Sequence, residues 1–242
     1  MLSEAGCVVL DLDGPVVRFF ARPGAGEGAG AGPPGSVAPD IARDLHDIAR
    51  LNGTVLPELD GVDDPHRILT AHDQHPGTGV WRRVALEIRD TLDAAEWKAA
   101  EHGVETDGAT DFIRAWRARG RHLSVASNNH PVAVARVLER LGVLDRVDGP
   151  VIGRDRDTRL MKPHPHPLKL AMVPAAGGPK RHVMIGDTRT DLMTARAVGM
   201  PFIGYHGSPQ GRELLEAAGA PVVMESMREL LAALPGTARW RL

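Results

Sequence analysis

Short apolar runs alternate with helical patterns along most of the chain. The runs lie at residues 7–10, 123–126, 151–152, 182–185, 202–205 and 222–224. Their length is typical of strands that are buried on both faces. Between most of them apolar residues recur every three or four positions, as in 134–141, where Gly142 then stops the helix. This alternation predicts an α/β fold with a parallel sheet covered by helices on both faces.

Residues 16–106 interrupt the alternation, because they contain helical patterns and no convincing strand. One apolar face is predicted within 81–92 and another within 41–49. Asp93 and Glu96 are spaced like a capping box and predict the start of a further helix that carries Trp97 as a core residue. Residues 23–39 are dominated by Gly, Ala and Pro and predict a flexible loop. We therefore expect an inserted helical unit after the first strand.

Composition and charge exclude several classes of protein. The chain has 242 residues, of which 43% are hydrophobic and 25% charged, so it can bury a large core. Lys plus Arg number 29 and Asp plus Glu 31, which argues against a nucleic-acid-binding surface. The chain shows no export signal and no apolar stretch long enough to span a membrane. The single cysteine, Cys7, lies in an apolar run, and we expect a buried, inert thiol in a cytoplasmic protein.

Two carboxylates, Asp11 and Asp13, follow the first predicted strand directly. Residues two apart in extended chain share a side, so both carboxylates can approach one point at the ligand-binding edge of the sheet. Mg²⁺ would offset their repulsion, since it prefers oxygen ligands and bridges to substrate phosphate. An Asp-x-Asp-Gly segment is also ordinary turn chemistry, and taken alone this segment favours a turn.

A second acidic pair follows the run at 182–185. Gly186 ends the run, and Asp187 and Asp191 come next, spaced so that they share one face of a helix that begins here. Helix capping is the alternative interpretation, but it explains one aspartate more easily than two.

Two further segments offer groups for an anion. Ser127 and Asn128 follow the run at 123–126, where hydroxyl, amide and backbone N–H groups suit a phosphate oxygen or, alternatively, cap a helix. Lys162 is one of only four lysines beside 25 arginines, and it lies in a loop stiffened by Pro163 and further prolines. A lysine retained there favours a site over a solvated surface charge.

In this order and at these spacings, the segments resemble the haloacid dehalogenase-like hydrolase superfamily, mostly Mg²⁺-dependent phosphatases with an aspartate nucleophile. The segments of this chain that resemble the family's four motifs are, in order, Asp11-Leu12-Asp13-Gly14, Ser127-Asn128, Lys162, and Gly186-Asp187 through Asp191. The resemblance implies a Rossmann-like, doubly wound parallel-sheet core of residues 1–15 and 107–242. Residues 16–106 would hold the flap, the flexible loop and a helical type-one cap. Pro15 departs from the Thr or Val that is usual after the glycine, which bears on the geometry of the flap.

The resemblance also implies roles for the acidic residues. Asp11 would attack phosphorus and form an aspartyl-phosphate. Asp13 would protonate the leaving alcohol and then activate the hydrolytic water. Mg²⁺ would be held by Asp11, by the backbone carbonyl of Asp13 and by Asp187, with Asp191 acting directly or through water.

The remaining candidates would contact the substrate. Ser127, Asn128 and Lys162 would bind the phosphate oxygens and offset the charge that develops on them, Ser127 and Lys162 being catalytic. Arg67, in a polar loop predicted at residues 63–67 of the insert, is the candidate for substrate specificity. Lys98 is the insert's only lysine, and relatives that cleave carbon–phosphorus bonds use a cap lysine as a Schiff base.

We therefore expect a Mg²⁺-dependent phosphatase that hydrolyses a small phosphorylated metabolite, with phosphoglycolate-phosphatase-like activity as one assignment. A haloacid dehalogenase or a phosphomutase of the same superfamily remains an alternative, as does a catalytically silent binding or regulatory protein. We expect no nucleic-acid partner and no membrane partner. Nothing in the sequence indicates the oligomeric state.

Overall fold

The computed structural model describes residues 1–21 and 36–234. Its strands are β1 (Cys7–Leu10), β2 (Val17–Arg18), β3 (Val104–Glu105), β4 (His122–Ala126), β5 (Val151–Ile152), β6 (His182–Gly186), β7 (Phe202–Tyr205) and β8 (Val223–Met224). Its helices are α1 (Ala38–Leu51), α2 (Pro65–Asp73), α3 (Val80–His102), α4 (Ala109–Arg117), α5 (Pro131–Arg140), α6 (His166–Ala171), α7 (Arg189–Val198), α8 (Pro209–Ala217) and α9 (Met227–Ala232).

Six parallel strands form the main sheet in the order β5-β4-β1-β6-β7-β8. Strand β1 lies between β4 and β6, and its residues pair in register with residues 122–125 on one side and 182–185 on the other. The chain leaves β1 toward one edge and later returns toward the other, so the strand order reverses beside β1. Open α/β sheets bind ligands at such a point, beyond the carboxyl ends of the strands. The predicted α/β fold is confirmed.

Alternate residues of β1 pack on opposite faces of the sheet, as the pleat requires. Val8 and Leu10 belong to the larger apolar cluster, with α4, α5 and α9. Cys7 and Val9 belong to the cluster on the other face, with α6 and α7. Burial raises the pKa of the Cys7 thiol to about 12. The thiol is therefore inert at neutral pH, as expected.

Helices α1, α2 and α3 form the helical unit that interrupts the alternation. Their apolar sides meet in the larger cluster, where Leu45, Leu69 and Ile88 are all fully buried. Burying a side chain of this size stabilises the fold by roughly 1.5 to 3 kcal/mol. The insertion of a helical unit after β1 therefore follows from the apolar pattern of the sequence.

The predicted break inside the helical unit is wrong. Helix α3 runs without interruption for 23 residues, so Asp93 and Glu96 lie in its interior and cap nothing. Trp97 was expected in the core but is 49% exposed. A capping box and an internal salt-bridging pair have the same spacing, and only the distant partner described below distinguishes them.

A small two-stranded antiparallel ribbon closes the helical unit where no strand was expected. Strands β2 and β3 pair antiparallel over two residues each, which is too short for a periodic pattern. The hydroxyl of Thr106 donates to the carbonyl of Gly14 over 2.5 Å and connects this ribbon to the turn after β1.

The predicted flexible loop at 23–39 is only partly described. Residues 22–35 lie outside the described part of the chain, whereas Ala38 and Pro39 already form the first turn of α1. A proline in the first helical turn loses no hydrogen bond there, which is why this Pro-containing segment can begin a helix. None of the helices within the described residues combines the length and apolarity needed to cross a bilayer.

Candidate active site

The carboxyl ends of β1, β4 and β6 bring the predicted site residues together. They line one cavity of about 810 Å³ between the sheet and the helical unit. The predicted residues in its wall are Asp11, Asp13, Arg67, Ser127, Asn128, Lys162 and Asp187. Asp191, the remaining predicted residue, is fully buried behind this wall in the first turn of α7.

Lys162 joins three of the converging segments. Its Nζ donates to Asp11 Oδ1 over 2.7 Å, to Asp191 Oδ1 over 2.5 Å and to the Ala126 carbonyl over 3.0 Å. The side chain is buried, which alone would lower the pKa of the ammonium, but the carboxylates of Asp11 and Asp191 outweigh burial and raise it. Lys162 is therefore a fixed positive charge beside Asp11.

Asp191 has two structural roles. Its Oδ2 accepts from the backbone N–H and the hydroxyl of Thr188, while its own N–H donates to that hydroxyl, so the pair caps α7. Its Oδ1 accepts from Lys162. The capping interpretation is confirmed for this aspartate, and its other carboxylate oxygen pairs with Lys162, so the site interpretation stays a prediction.

Asp11, Asp187 and Asp191 form a cluster in which one carboxylate oxygen from each lies within 4.8 Å of the others. Burial and the neighbouring charge of Asp191 raise the pKa of Asp11 to about 7, against the pull of Lys162. Burial and the charges of Asp11 and Asp191 raise the pKa of Asp187 well above its ordinary value. The folded chain therefore gathers more negative charge here than its own cations balance.

The cluster fits a divalent cation. Asp187 Oδ1 is buried and has no hydrogen-bond partner within residues 1–21 and 36–234. Buried polar atoms without a partner are rare and indicate a missing ligand or ion. Mg²⁺ takes carboxylate oxygens and keeps waters for the remaining positions, which suits two or three aspartates beside an open cavity.

Asp13 lies beside the cavity on the turn that follows β1. Its Oδ1 accepts from the backbone N–H of Phe19 over 2.8 Å, which fixes the carboxyl against β2. Burial raises the pKa of Asp13, although the Phe19 bond opposes the shift. A raised pKa suits a carboxyl that has to carry a proton during part of a reaction.

The side chain of Asn128 holds the backbone of Lys162 in place. The backbone N–H of Lys162 donates to Asn128 Oδ1 over 2.9 Å, and Asn128 Nδ2 donates to the Lys162 carbonyl over 3.1 Å. The oxygen and the nitrogen of the Asn128 amide thus both form hydrogen bonds with the backbone of Lys162. Asn128 was predicted to bind phosphate, and the structure shows that its side chain positions another predicted phosphate ligand.

Asn129 is a cavity residue that sequence reasoning missed. It is buried, its N–H and its Nδ2 each lie 3.2 Å from Ser127 Oγ, and its Oδ1 has no partner within the described part of the chain. Its position directly after Ser127 and Asn128 was the available signal. Ser127 and Asn129 together present polar groups to the cavity.

The helical unit supplies the opposite wall of the cavity. The predicted loop at 63–67 is wrong from Pro65 onward, because His66 and the exposed Arg67 lie in the first turn of α2. Asp64 caps this helix by accepting from both backbone N–H groups. Sequence reasoning selected Arg67 and missed His66, whose imidazole also lines the cavity. Lys98 is exposed on α3 and is not among the lining residues.

Gly14 makes the close approach of β1 and β6 possible. Its φ is +91°, and a Cβ at this position would lie 2.3 Å from Asp187 Oδ2. Its N–H donates to the Val17 carbonyl over 2.8 Å, and the turn accommodates the following Pro15, which is buried. The flap turn therefore forms with the proline that departs from the family pattern.

We expect Gly14→Ala to lower catalytic activity at this site by about 100-fold, the scale of a displacement of about 1 Å in a catalytic group. The matched control is Gly120→Ala, because Gly120 has a φ of +67° and nothing within 4 Å of its Cβ position. Both variants carry the left-handed strain, and only Gly14→Ala displaces Asp187. Steady-state kinetics and melting temperatures of the two variants check this, and equal activities would contradict it.

The fold and this cluster define a Rossmann-like α/β core with an acidic, lysine-paired site at the carboxyl ends of its central strands. The family model of haloacid dehalogenase-like hydrolases matches residues 6–199. The chain belongs to the haloacid dehalogenase-like hydrolase family, as the sequence motifs predicted.

Phosphoglycolate phosphatase of Escherichia coli strain K12 is 30% identical to this chain over 148 residues. The matched region covers 61% of this chain and 58% of that protein, so the chain spans about three fifths of the length of the curated relatives it matches.

Solved structures share the fold. A predicted phosphatase from Clostridium acetobutylicum superimposes with a TM-score of 0.63 at 21% identity, covering 93% of this chain and 95% of that one. CbbY from Rhodobacter sphaeroides, solved in complex with phosphate, gives a TM-score of 0.62 at 18% identity, covering 93% of this chain and 96% of that one.

Proposed function

We propose that the protein is a Mg²⁺-dependent phosphatase that hydrolyses a small phosphorylated metabolite through an aspartyl-phosphate. The observation that carries the proposal is the cavity-lining Asp11 carboxylate, paired with buried Lys162 and clustered with Asp187 and Asp191. In this proposal residues 1–15 and 107–242 are the catalytic core and residues 16–106 the flap, loop and cap.

Asp11 and Asp13 divide the chemistry. An oxygen of Asp11 forms a bond to phosphorus while the bond from phosphorus to the ester oxygen breaks, and Asp13 gives its proton to the departing alcohol. In the second half Asp13 takes a proton from water, which attacks phosphorus and releases Asp11 and orthophosphate. The raised pKa of Asp13 supports its role as proton carrier.

Lys162, Ser127 and Asn129 hold the phosphoryl group in this proposal. The Lys162 ammonium fixes Asp11 Oδ1 and offers positive charge to the phosphoryl oxygens as charge develops on them. Ser127 and Asn129 line the same cavity. Asn128 contributes indirectly, by holding the backbone of Lys162.

Asp11, Asp187 and the backbone carbonyl of Asp13 would hold Mg²⁺, and Asp191 would contribute through a bound water, because both its oxygens already accept hydrogen bonds. The bound ion would supply charge neutralisation between the carboxylates and the phosphoryl oxygens. Asp187 Oδ1 has no hydrogen-bond partner within the described residues, so Mg²⁺ bound here would supply the partner that this oxygen lacks.

The helical unit selects the substrate in this proposal. Arg67 and His66 face the phosphate site across a cavity of about 810 Å³, a volume that suits a small metabolite. The phosphoglycolate phosphatases among the relatives make phosphoglycolate the first substrate to test.

The test is phosphate release from p-nitrophenyl phosphate and from a panel of small phosphate monoesters that includes phosphoglycolate, each with Mg²⁺ and with EDTA. We expect turnover with Mg²⁺ and none with EDTA. Halide release from a 2-haloacid without added metal would instead establish a dehalogenase. Transfer of phosphoryl to a second sugar hydroxyl would establish a phosphomutase, and no turnover of any kind would favour a silent binding protein.

A further inference from the structure

A buried ion pair connects the helical unit to the sheet. Glu96, in α3, is fully buried, and Arg154, which follows β5, has a side chain that is only 2% exposed. Arg154 Nη1 lies 2.7 Å from Glu96 Oε1 and Nη2 lies 3.0 Å from Oε2, so the guanidinium binds the carboxylate with both arms. Arg154 Nη2 also donates to Asp93, one turn earlier in α3.

The pair is bonded to the loop that follows β4. Glu96 Oε2 accepts from the backbone N–H of His130 over 2.7 Å. Arg154 Nη1 donates to the Asn128 carbonyl over 3.1 Å, and the Arg154 N–H donates to the Asn129 carbonyl over 2.8 Å. The loop at 127–130 is therefore held by α3 and by Arg154 at three successive residues.

The same carboxylate also holds a cavity residue of the helical unit. His66 Nε2 donates to Glu96 Oε1 over 2.8 Å, and His66 lines the same cavity as Lys162. One buried carboxylate thus contacts both walls of the cavity. Burial would raise the pKa of Glu96, but His66 and Arg154 outweigh it and lower the pKa, so the carboxylate stays ionised.

Stability alone is a weak reason for this arrangement. The cost of removing two charges from water often exceeds their attraction, and apolar residues of similar size are commonly as stabilising or more so. Apolar side chains, however, cannot bind the carbonyl of Asn128 or the N–H of His130. The fully bonded network therefore defines geometry that an apolar core would not define.

We propose that Glu96 and Arg154 form a positioning pair, which holds the loop at 127–130 and His66 in the arrangement that receives the substrate phosphate. The inference rests on the proposed phosphatase function and adds to it the residues that align the two walls of the cavity. Asp11 and Asp187 follow β1 and β6 and receive no hydrogen bond from the pair. The pair should therefore govern phosphate binding and turnover but leave the response to Mg²⁺ unchanged.

The experiment uses the double variant E96M/R154M, which removes both charges and keeps the volume close to that of the native pair, so it should fold. The control is E101M/R136M, which removes the exposed ion pair between α3 and α5, whose Arg136 Nε lies 2.9 Å from Glu101 Oε1. For each protein we would measure kcat, the inhibition constant of inorganic phosphate, the Mg²⁺ concentration for half-maximal activity and the melting temperature.

We expect E96M/R154M to melt near the wild-type temperature, to lose about 10- to 100-fold in kcat and to bind inorganic phosphate more weakly by a similar factor. Its Mg²⁺ requirement should not change, and the control should match the wild type throughout. A folded double variant with wild-type kcat and phosphate affinity would overturn the proposal.

Arg154→Lys provides a second arm if the double variant does not fold. Lysine keeps the charge but lacks the planar fork that binds Glu96, Asp93 and the Asn128 carbonyl together, so the same loss is expected, and wild-type behaviour would overturn the proposal. If the wild type itself shows no turnover, the proposed function fails. Phosphate affinity, measured by calorimetry on the same variants, then still decides whether the pair positions an anion site.

Discussion

Asp11→Asn is expected to abolish turnover of p-nitrophenyl phosphate, with a loss on the order of 10⁴- to 10⁶-fold, the scale seen when a covalent nucleophile is removed. An amide oxygen is a far poorer nucleophile than a carboxylate, so the bond to phosphorus does not form. Asparagine has the same size and still accepts a hydrogen bond from Lys162, and it removes one of three clustered charges. The variant should therefore fold.

The measurement is phosphate release with Mg²⁺ present, together with a melting curve for each protein. Asp111→Asn is the matched control, because Asp111 is an exposed aspartate on α4, far from the cavity lining. Residual activity of Asp11→Asn within tenfold of the wild type would exclude Asp11 as the nucleophile. In that case the aspartyl-phosphate mechanism would have to be abandoned, although membership of the family would stand.

The main sheet was predictable because its central strands are buried on both faces and even its half-buried edge strands are apolar. Such strands are continuous apolar runs, and the runs at 7–10, 151–152 and 202–205 coincide with β1, β5 and β7. The ribbon of β2 and β3 was not predictable, since two residues carry no periodicity. Its pairing depends on the helical unit that brings its two strands together.

The acidic and basic candidates were predictable for a related reason. Asp11, Ser127 and Asp187 each follow a parallel strand, so the topology of the sheet alone brings them to one edge. Lys162 is different, because it reaches Asp11 across 151 positions of sequence from a loop. Its rarity among 25 arginines and its proline-rich surroundings made it a candidate, but nothing local showed that Asn128 holds its backbone.

The Glu96–Arg154 pair marks the limit of sequence reasoning on this chain. The two residues are 58 positions apart, and Glu96 has a simpler local explanation as part of a capping box with Asp93. The local spacing favours a helix that begins at Asp93, whereas the structure has one continuous helix α3 in which Glu96 binds the buried Arg154. Residues that contradict their local pattern are often functional, which is a further reason to test this pair.

Asp187→Asn is expected to lose activity and to gain stability in the absence of metal. In the metal-free protein, burial and the charges of Asp11 and Asp191 raise the pKa of Asp187. A carboxyl whose pKa is higher in the folded than in the unfolded protein stabilises the fold at low pH, and this contribution is lost as the pH rises through the folded pKa. For Asp11 the loss extends from its ordinary pKa of 3.8 to about 7. Ionisation of the cluster therefore destabilises the metal-free protein at neutral pH.

Removing the charge of Asp187 relieves this repulsion. With EDTA at neutral pH, we expect Asp187→Asn to melt several degrees above the wild type, since each kcal/mol corresponds to roughly 2 to 4 °C in a protein of this size. The difference should shrink as the pH falls toward 4, where the wild-type carboxyl is protonated. Mg²⁺ should raise the melting temperature of the wild type and of Asp111→Asn, but not that of Asp187→Asn, which should also lose turnover. Amide substitution at Asp187 removes the one buried carboxylate oxygen that has no hydrogen-bond partner among the described residues. An equal rise of the melting temperature with Mg²⁺ in all three proteins would therefore show that the ion is bound elsewhere.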